Sequence, residues 1–352
     1  MRKYLTIPAH LKAQLVECGI NPIDLVLYIN STCNLRCKHC YIGDDLLNRS
    51  EAYDTNDINR FLNEFQRLDR VTILGGEPLL HPGINSIIDN IAQNNVGEVR
   101  VTTNLNLLNV FDYKRHSAKN LVVCVSIDGH IADSHDLVRG EGAFEATIHN
   151  IELLLQEGYD IEITHTVMKH NIDDFFYFIE FCKSLGIKKL NLHKISPMGN
   201  ALENSELSIS PSRWISLCRE IEKQSLDIRS EAAPLRLRYP LLYVSTDEYE
   251  DLLRQGKYHH HYQRSFYADK EGHRVVLYPD KKLYVSSEAF GTDLFIGDIE
   301  DGSFHYNESE QNEIHLFRRL HDSAMQMMSR QFGNAENRYI PLSLSFRRTC
   351  FI

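Results

Sequence analysis

The chain has 352 residues, 43% of them hydrophobic and 24% charged, with a formal net charge of −10. That make-up fits a globular protein of one large domain or a domain with a smaller appendage, and its acidic balance excludes a general nucleic-acid binder. No apolar run reaches the roughly 18 residues of a membrane span, and residues 1–10 lack the apolar stretch of a signal peptide, so the expected compartment is the cytoplasm.

Along the chain, short Val/Ile/Leu-rich runs alternate with amphipathic segments. Strands are expected at residues 24–30, 70–74, 98–103, 121–127, 160–168 and 188–195. Between them Ile58, Phe61, Leu62, Phe65 and Leu68 recur at helical spacing, with Asp54 or Thr55 at the N-cap position. Phe144, Ile148, Ile151 and Leu155 repeat the pattern, as do Ile172, Phe175, Phe176, Ile179 and Leu185, with Asn171 as the expected N-cap. Such alternation predicts an α/β fold, a partial (β/α)6 TIM-like barrel whose ligand lies at the C-terminal edge of the strands. After Pro197 the pattern changes to a helix over 211–223, a hairpin of 274–278 with 283–287 turned by Pro279 and Asp280, and a last helix over 312–328. The expected domains are an N-terminal extension (1–22), the barrel core (23–201) and a smaller α+β C-terminal region (202–352).

The eight cysteines are Cys18, Cys33, Cys37, Cys40, Cys124, Cys182, Cys218 and Cys350. Five are scattered, some of them in apolar runs, as small buried hydrophobes are. Three crowd into Cys33-Asn-Leu-Arg-Cys37-Lys-His-Cys40-Tyr41, directly after the first core strand. Three thiolates hold three irons of a cubane cluster and leave the fourth iron open to a small molecule. Zinc would need a fourth ligand, and His39 lies between two of the cysteines and points elsewhere.

This motif is similar to the signature of the radical S-adenosylmethionine (radical SAM) superfamily, and companion segments follow in the expected order. Gly75-Gly76-Glu77-Pro78, Thr103-Asn104 and Ser126-Ile127-Asp128-Gly129 each end a strand, followed by His135-Asp136-Leu-Val-Arg139-Gly140 and Pro197-Met-Gly199-Asn-Ala201. The resemblance runs from about Ile23 to Ala201. It implies one [4Fe-4S] cluster on Cys33, Cys37 and Cys40, with S-adenosyl-L-methionine (SAM) chelating the open iron and cleaved to a 5′-deoxyadenosyl radical that abstracts hydrogen. It also implies a one-electron reductant such as flavodoxin or ferredoxin. Gly75 and Gly76 would let backbone approach the cofactor. Gly76, Glu77 and Pro78 would contact the methionine ammonium, Asn104 and Ser126 the ribose or carboxylate, and Arg139 the carboxylate through a two-pronged bond. His39 and Tyr41 would pack the adenine. His193, on the sixth strand, reaches either the cofactor or the core.

Residues 122–201 further resemble the subfamily with C-terminal SPASM or twitch domains, which includes peptide and sulfatase maturases. The hairpin resembles theirs as far as Phe290-Gly291 and Ile296-Gly297. Ser286 and Ser287 stand where a cluster cysteine belongs, and no cysteine lies between Cys218 and Cys350. A degenerate C-terminal region without an auxiliary cluster is therefore expected. A redox-neutral reaction such as epimerisation fits that loss, with Cys218 or Cys350 as hydrogen donors. The expected substrate is a ribosomally made peptide, with a separate leader-binding protein as a further partner. The alternatives are a small-molecule substrate such as a sugar or antibiotic precursor, or a non-catalytic metal-binding or regulatory protein. His259-His260-His261 reads as a polar loop, flanked by Tyr258, Tyr262, Phe266 and Tyr267, which could line a substrate cleft.

Overall fold

The computed structural model describes residues 2–116, 121–228, 235–241, 243–245, 267–269, 272–284, 287, 290, 295–307, 339–341 and 348–351. The first half runs β1 (Lys3–Leu5), α1 (Leu11–Glu17), β2 (Pro22–Tyr28), α2 (Asp44–Leu47), β3 (Glu51–Tyr53), α3 (Thr55–Asn63), β4 (Leu68–Leu74), α4 (Ile84–Gln93) and β5 (Val96–Thr103). Next come β6 (Leu121–Ser126), α5 (Ala132–Arg139), α6 (Ala143–Gln156), β7 (Asp160–Val167), α7 (Phe175–Ser184), β8 (Lys189–Lys194), α8 (Asn200–Glu203), α9 (Pro211–Ile228) and β9 (Arg236–Leu241). The remaining described strands are β10 (Tyr243–Ser245), β11 (Tyr267–Asp269), β12 (Gly272–Leu277), β13 (Lys282–Tyr284), β14 (Gly297–Glu300), β15 (Ser303–Tyr306), β16 (Tyr339–Pro341) and β17 (Arg348–Phe351).

Strands β2, β4, β5, β6, β7 and β8 lie side by side, all parallel, as the strand–helix alternation predicts. Each presents one apolar face outward: Leu25, Val71, Ile73, Val101, Val123, Ile163 and Leu192 are at most 3% exposed and share one core with Ile58, Ile87, Ile151 and Phe178 of the helices. The opposite faces carry Thr72, Thr102, Ser126, Thr164, Asn191 and His193, all only half-buried, so the inside of the curved sheet is polar and open.

The ends of the sheet differ from expectation. The C-terminal hairpin forms as predicted, but β12 pairs in parallel with β2, and β9 pairs in parallel with β8. Residues 202–352 therefore lengthen the sheet at both edges, since their backbone groups complete the open N–H and C=O rows of β2 and β8. The N-terminal segment packs on the core: β1 pairs with β3, Leu11 and Leu15 are fully buried, and Arg60 donates to the Ile7 carbonyl.

Asp54 caps α3, accepting from the backbone N–H of Asn56 and Asp57. Asn171 does not cap α7, whose N-cap is Asp174. Its amide is drawn inward, donating to the carbonyls of Asp128 and Thr166 and accepting from Met168, so it ties β6 to β7. Among the described residues no helix is long and apolar enough to cross a membrane.

Candidate cluster and cofactor site

Beyond Tyr28 the chain crosses the C-terminal edge of the sheet as an irregular loop that holds the three clustered cysteines. Its backbone is tied down on several sides. Ser31 N–H donates to Glu51 O (2.8 Å), Lys38 N–H to Val138 O (2.9 Å), and Asn200 N–H to Cys40 O (2.8 Å). The Asn200 side chain donates to Cys37 O at 3.2 Å and accepts from Asp44 N–H at 3.0 Å. Gly199 sits at φ +54°, and a Cβ there would lie 2.5 Å from Cys40 O and 2.7 Å from Tyr41 O, so only glycine allows this approach.

Cys33, Cys37 and Cys40 are partly exposed, whereas Cys124, Cys182 and Cys218 are buried. Burial raises the Cys33 thiol to about 12 and Cys37 to about 11, and raises Cys40 as well. They are thus neutral thiols that lose protons on binding metal. Among the described residues no three His, Cys, Asp or Glu side chains converge as a single ion requires. A cubane asks for no such convergence, because each thiolate ligates a different corner.

Gly75-Gly76-Glu77-Pro78 runs beside the start of this loop. A Cβ on Gly75 would meet Asn30 Oδ1 at 1.9 Å, and one on Gly76 would meet Ser31 O at 2.5 Å and Thr32 O at 2.6 Å. These glycines make room for the protein's own residues 30–32, with Gly76 N–H donating to Asn30 O and Glu77 N–H to Thr32 O. Glu77 is 1% exposed. It accepts from Leu79 N–H, Thr103 Oγ1 and Asn104 N–H, and so locks the end of β4 to the end of β5. Burial nevertheless raises it to about 7. Pro78 opens the single 3₁₀ turn that Glu77 caps. Asn104 donates through Nδ2 to Asn34 Oδ1 at 2.9 Å, which ties β5 to the cysteine loop.

Asp128, at the end of β6 and 0% exposed, is the anchor on the other side. Its Oδ2 accepts from Arg139 Nε at 2.6 Å and lies 3.2 Å from His39 Nε2, while Oδ1 accepts from Thr166 N–H at 2.8 Å. Arg139 Nη1 then faces Cys37 Sγ at 3.9 Å. The guanidinium is therefore fixed by an ion pair and directed at the cysteine loop, with donors beyond those Asp128 takes. Burial holds His39, His135 and His165 down at about 4, so all three are neutral around Asp128.

Tyr41 places its hydroxyl 2.5 Å from that of Tyr28, whose ring stacks on Tyr278 of the C-terminal hairpin with centroids 3.8 Å apart. It therefore links the cysteine loop to that hairpin. Ser126 ends β6 half-buried on the inner face, and His193 sits on the inner face of β8, bonded to Asn191 at 2.8 Å. Cys218 lies on α9 in the apolar core, 3% exposed, because the helix turns this face to the sheet; it is not part of the strand-edge constellation. Cys350 lies on β17, and its side chain is outside the described residues, as are Ser286, Gly291, the 258–262 stretch with its three histidines, Phe266, the side chain of Tyr267 and the 312–328 segment. Sequence reasoning missed Asn30, Thr32, Asn34 and Asn200; for Asn200 the Pro197–Ala201 motif was the available signal.

The residues present fit a cluster with a polar ligand. Three neutral thiols share one pinned loop, and beside them Asn30 Oδ1, Thr32 Oγ1 and His39 Nδ1 are buried without a hydrogen-bond partner.

Residues 27–182 match the model of the Radical SAM superfamily. The AdoMet-dependent heme synthase of Methanosarcina barkeri is 28% identical over 211 residues, 58% of this chain and 60% of that one. The mycofactocin maturase MftC of Mycobacterium ulcerans is 29% identical over 192 residues, 53% of this chain and 51% of that one. These matches thus span 60% and 51% of the relatives' own length. The structure of Streptococcus suis SuiB bound to precursor peptide SuiA is similar with a TM-score of 0.62 at 15% identity, covering 86% of this chain and 67% of that one. At that identity the likeness is one of fold.

Proposed function

Because residues 27–182 match the model of the Radical SAM superfamily, we propose that this chain cleaves SAM reductively at a [4Fe-4S] cluster and modifies a peptide by hydrogen abstraction. The observation that carries this reading is the pinned loop with three partly exposed thiols at the C-terminal edge of a parallel sheet, where such folds gather their ligands. When bound, the cluster and SAM supply a carbon radical that takes a hydrogen atom from the substrate.

The chain's own residues do the rest. Cys33, Cys37 and Cys40 hold irons. Arg139, oriented by Asp128, presents its Nη atoms to the methionine carboxylate, where an ion pair fixed in advance spares the cost of ordering a long side chain. Thr32 Oγ1, buried without a hydrogen-bond partner beside the cysteine loop, offers an acceptor to the ammonium. Ser126 and Asn104 stand at neighbouring strand ends for ribose or carboxylate oxygens, with His193 further along the same edge. His39, neutral and buried between Cys37 and Cys40, gives the adenine a flat face; Tyr41 braces the loop from below. The open polar interior of the sheet receives the substrate.

The names mycofactocin maturase and precursor peptide SuiA support a peptide as substrate. A heme synthase among the relatives favours a second reading, a small-molecule substrate. A low-potential protein such as flavodoxin or ferredoxin is the proposed electron source. The test is co-expression with short peptides encoded beside the gene, followed by mass and chirality analysis. Deuterium from a labelled peptide is expected in 5′-deoxyadenosine. If no peptide changes and a deuterated sugar or tetrapyrrole delivers the label instead, the peptide reading fails.

A further inference from the structure

The inner face of the sheet carries a line of charges that the site above does not use. Arg274 on β12 donates to Asp24 on β2 at 2.8 Å and 3.0 Å. Arg70 on β4 lies 3.7 Å from Asp24 and 2.9 Å from Glu98. Arg100 on β5 lies 3.2 Å from Glu98 and also pairs with Glu162 on β7. Arg238 on β9 closes the line at 3.1 Å from Glu162. The order Arg274, Asp24, Arg70, Glu98, Arg100, Glu162, Arg238 alternates in sign and has arginine at both ends. Every carboxylate is already shared by two guanidiniums, and among these described residues one positive charge is in excess.

A second, independent observation comes from strand register. Ser126 pairs with Thr164, Thr164 with Asn191, and Asn191 with Arg238, so one row crosses β6 to β9 from the proposed cofactor edge to a guanidinium. All four residues are half-buried, while Val125, Ile163, Leu190 and Leu237 on the outward face of the same strands are at most 1% exposed. The row therefore lines the open interior. Arg238 donates Nε to Asn191 Oδ1 at 3.0 Å and Nη2 to Glu162 at 3.1 Å, and its side chain keeps 28% of its surface exposed. A guanidinium has more donors than these two bonds use. Arg100 is not available in the same way: its side chain is 9% exposed and it is committed to Glu98, Glu162 and Cys124 Sγ.

We propose that this row is a substrate-binding floor and that Arg238 binds a carboxylate of the substrate, with Thr164 and Asn191 bonding the atoms between that carboxylate and the reacting carbon. The surplus positive charge of this line, in a partly desolvated interior, is stabilised by an anion, and a carboxylate meets a guanidinium with two parallel hydrogen bonds. The assignment rests on the radical SAM reading only for the identity of the reaction; the binding site stands on its own residues.

The test uses full-length, anaerobically reconstituted protein titrated calorimetrically with glutarate, glutaramide and inorganic phosphate, with SAM cleavage measured in parallel. Glutarate is expected to bind and glutaramide, its uncharged counterpart, not to bind. Arg238→Gln should weaken glutarate at least tenfold, Arg238→Lys should retain part of the affinity, and Arg67→Gln, at a side chain 76% exposed, should change nothing. Should Arg238→Gln fail to fold, Asn191→Leu is expected to weaken glutarate several-fold from within the same row. Equal binding of glutaramide, or wild-type affinity in Arg238→Gln or in a folded Asn191→Leu, overturns the proposal. Preference for phosphate overturns the carboxylate assignment in favour of a phosphorylated substrate. Intact SAM cleavage without glutarate binding defeats this inference alone, whereas glutarate binding through Arg238 without SAM cleavage defeats the radical reading alone.

Discussion

Asp128 gathers the cofactor side of the site around one buried carboxylate. It orients Arg139, neighbours His39, accepts from the Thr166 backbone, and its own N–H donates to His135 Nδ1. The attraction of Arg139 leads the opposition to its burial and holds the carboxyl well below its usual range, so it stays ionised. The imidazoles around it behave oppositely, since burial disfavours their cationic form. His39, His135 and His165 each drop from 6.5 to about 4. A base with a depressed folded-state pKa contributes stability that is present above its unfolded value and is lost as pH falls through the folded one. The expected window is therefore pH 6.5 down to about 4, with a loss on the order of 1 kcal/mol per pH unit for each histidine. Thermal midpoints measured across that window should fall. His165→Phe, which keeps the ring that packs 4.0 Å from Phe178, should flatten the slope by about one histidine's share. An unchanged slope in that variant would show that His165 titrates normally. Among these residues the sequence resemblance singled out Arg139 and His39. Asp128 stood in a recognisable motif without an assigned role, because its partners come from separate elements and only the fold brings them together.

The cysteine loop has no regular structure of its own and takes its shape from neighbouring elements. β5 supplies Asn104 to Asn34, α5 supplies the Val138 carbonyl to Lys38, and α8 supplies Asn200 to Cys37 and Asp44. Asn200→Ala removes the side-chain bonds to Cys37 O and Asp44 N–H while leaving the backbone bond to Cys40 O and all three thiols. It is expected to cost about 1–2 kcal/mol of stability and to speed iron loss to a chelator, with SAM-independent reconstitution still possible. Iron release at the wild-type rate would show that the Asn200 side chain does not clamp the loop. The six core strands were legible because they are buried on the helix side and rich in Val, Ile and Leu. The joining of β9 and β12 to the barrel was not. Their inner faces carry Arg238 and Arg274, which interrupt the apolar pattern, and β12 pairs with β2 near the other end of the chain. The clamping asparagines gave no periodic signal, since a single amide needs only position and not spacing.

Across the whole molecule, one sheet joins the N-terminal core to the C-terminal hairpin, with Tyr28, Tyr41 and Tyr278 packed at the seam. The hairpin is thus built into the wall of the barrel: without it β2, the strand that leads to the cysteine loop, would be an exposed edge. With only one three-cysteine loop, reconstituted protein should hold about four irons and four sulfides per chain. About eight irons with the spectra of two clusters would overturn the expectation of a C-terminal region without an auxiliary cluster.

The most direct measurement is anaerobic turnover of the reconstituted, reduced protein with SAM, following 5′-deoxyadenosine and methionine by chromatography in the wild type and in Cys37→Ala. The account predicts equal amounts of both products from the wild type. It predicts none from Cys37→Ala, whose loop has lost one of its three thiolates. Full cleavage activity with normal iron content in Cys37→Ala would contradict it.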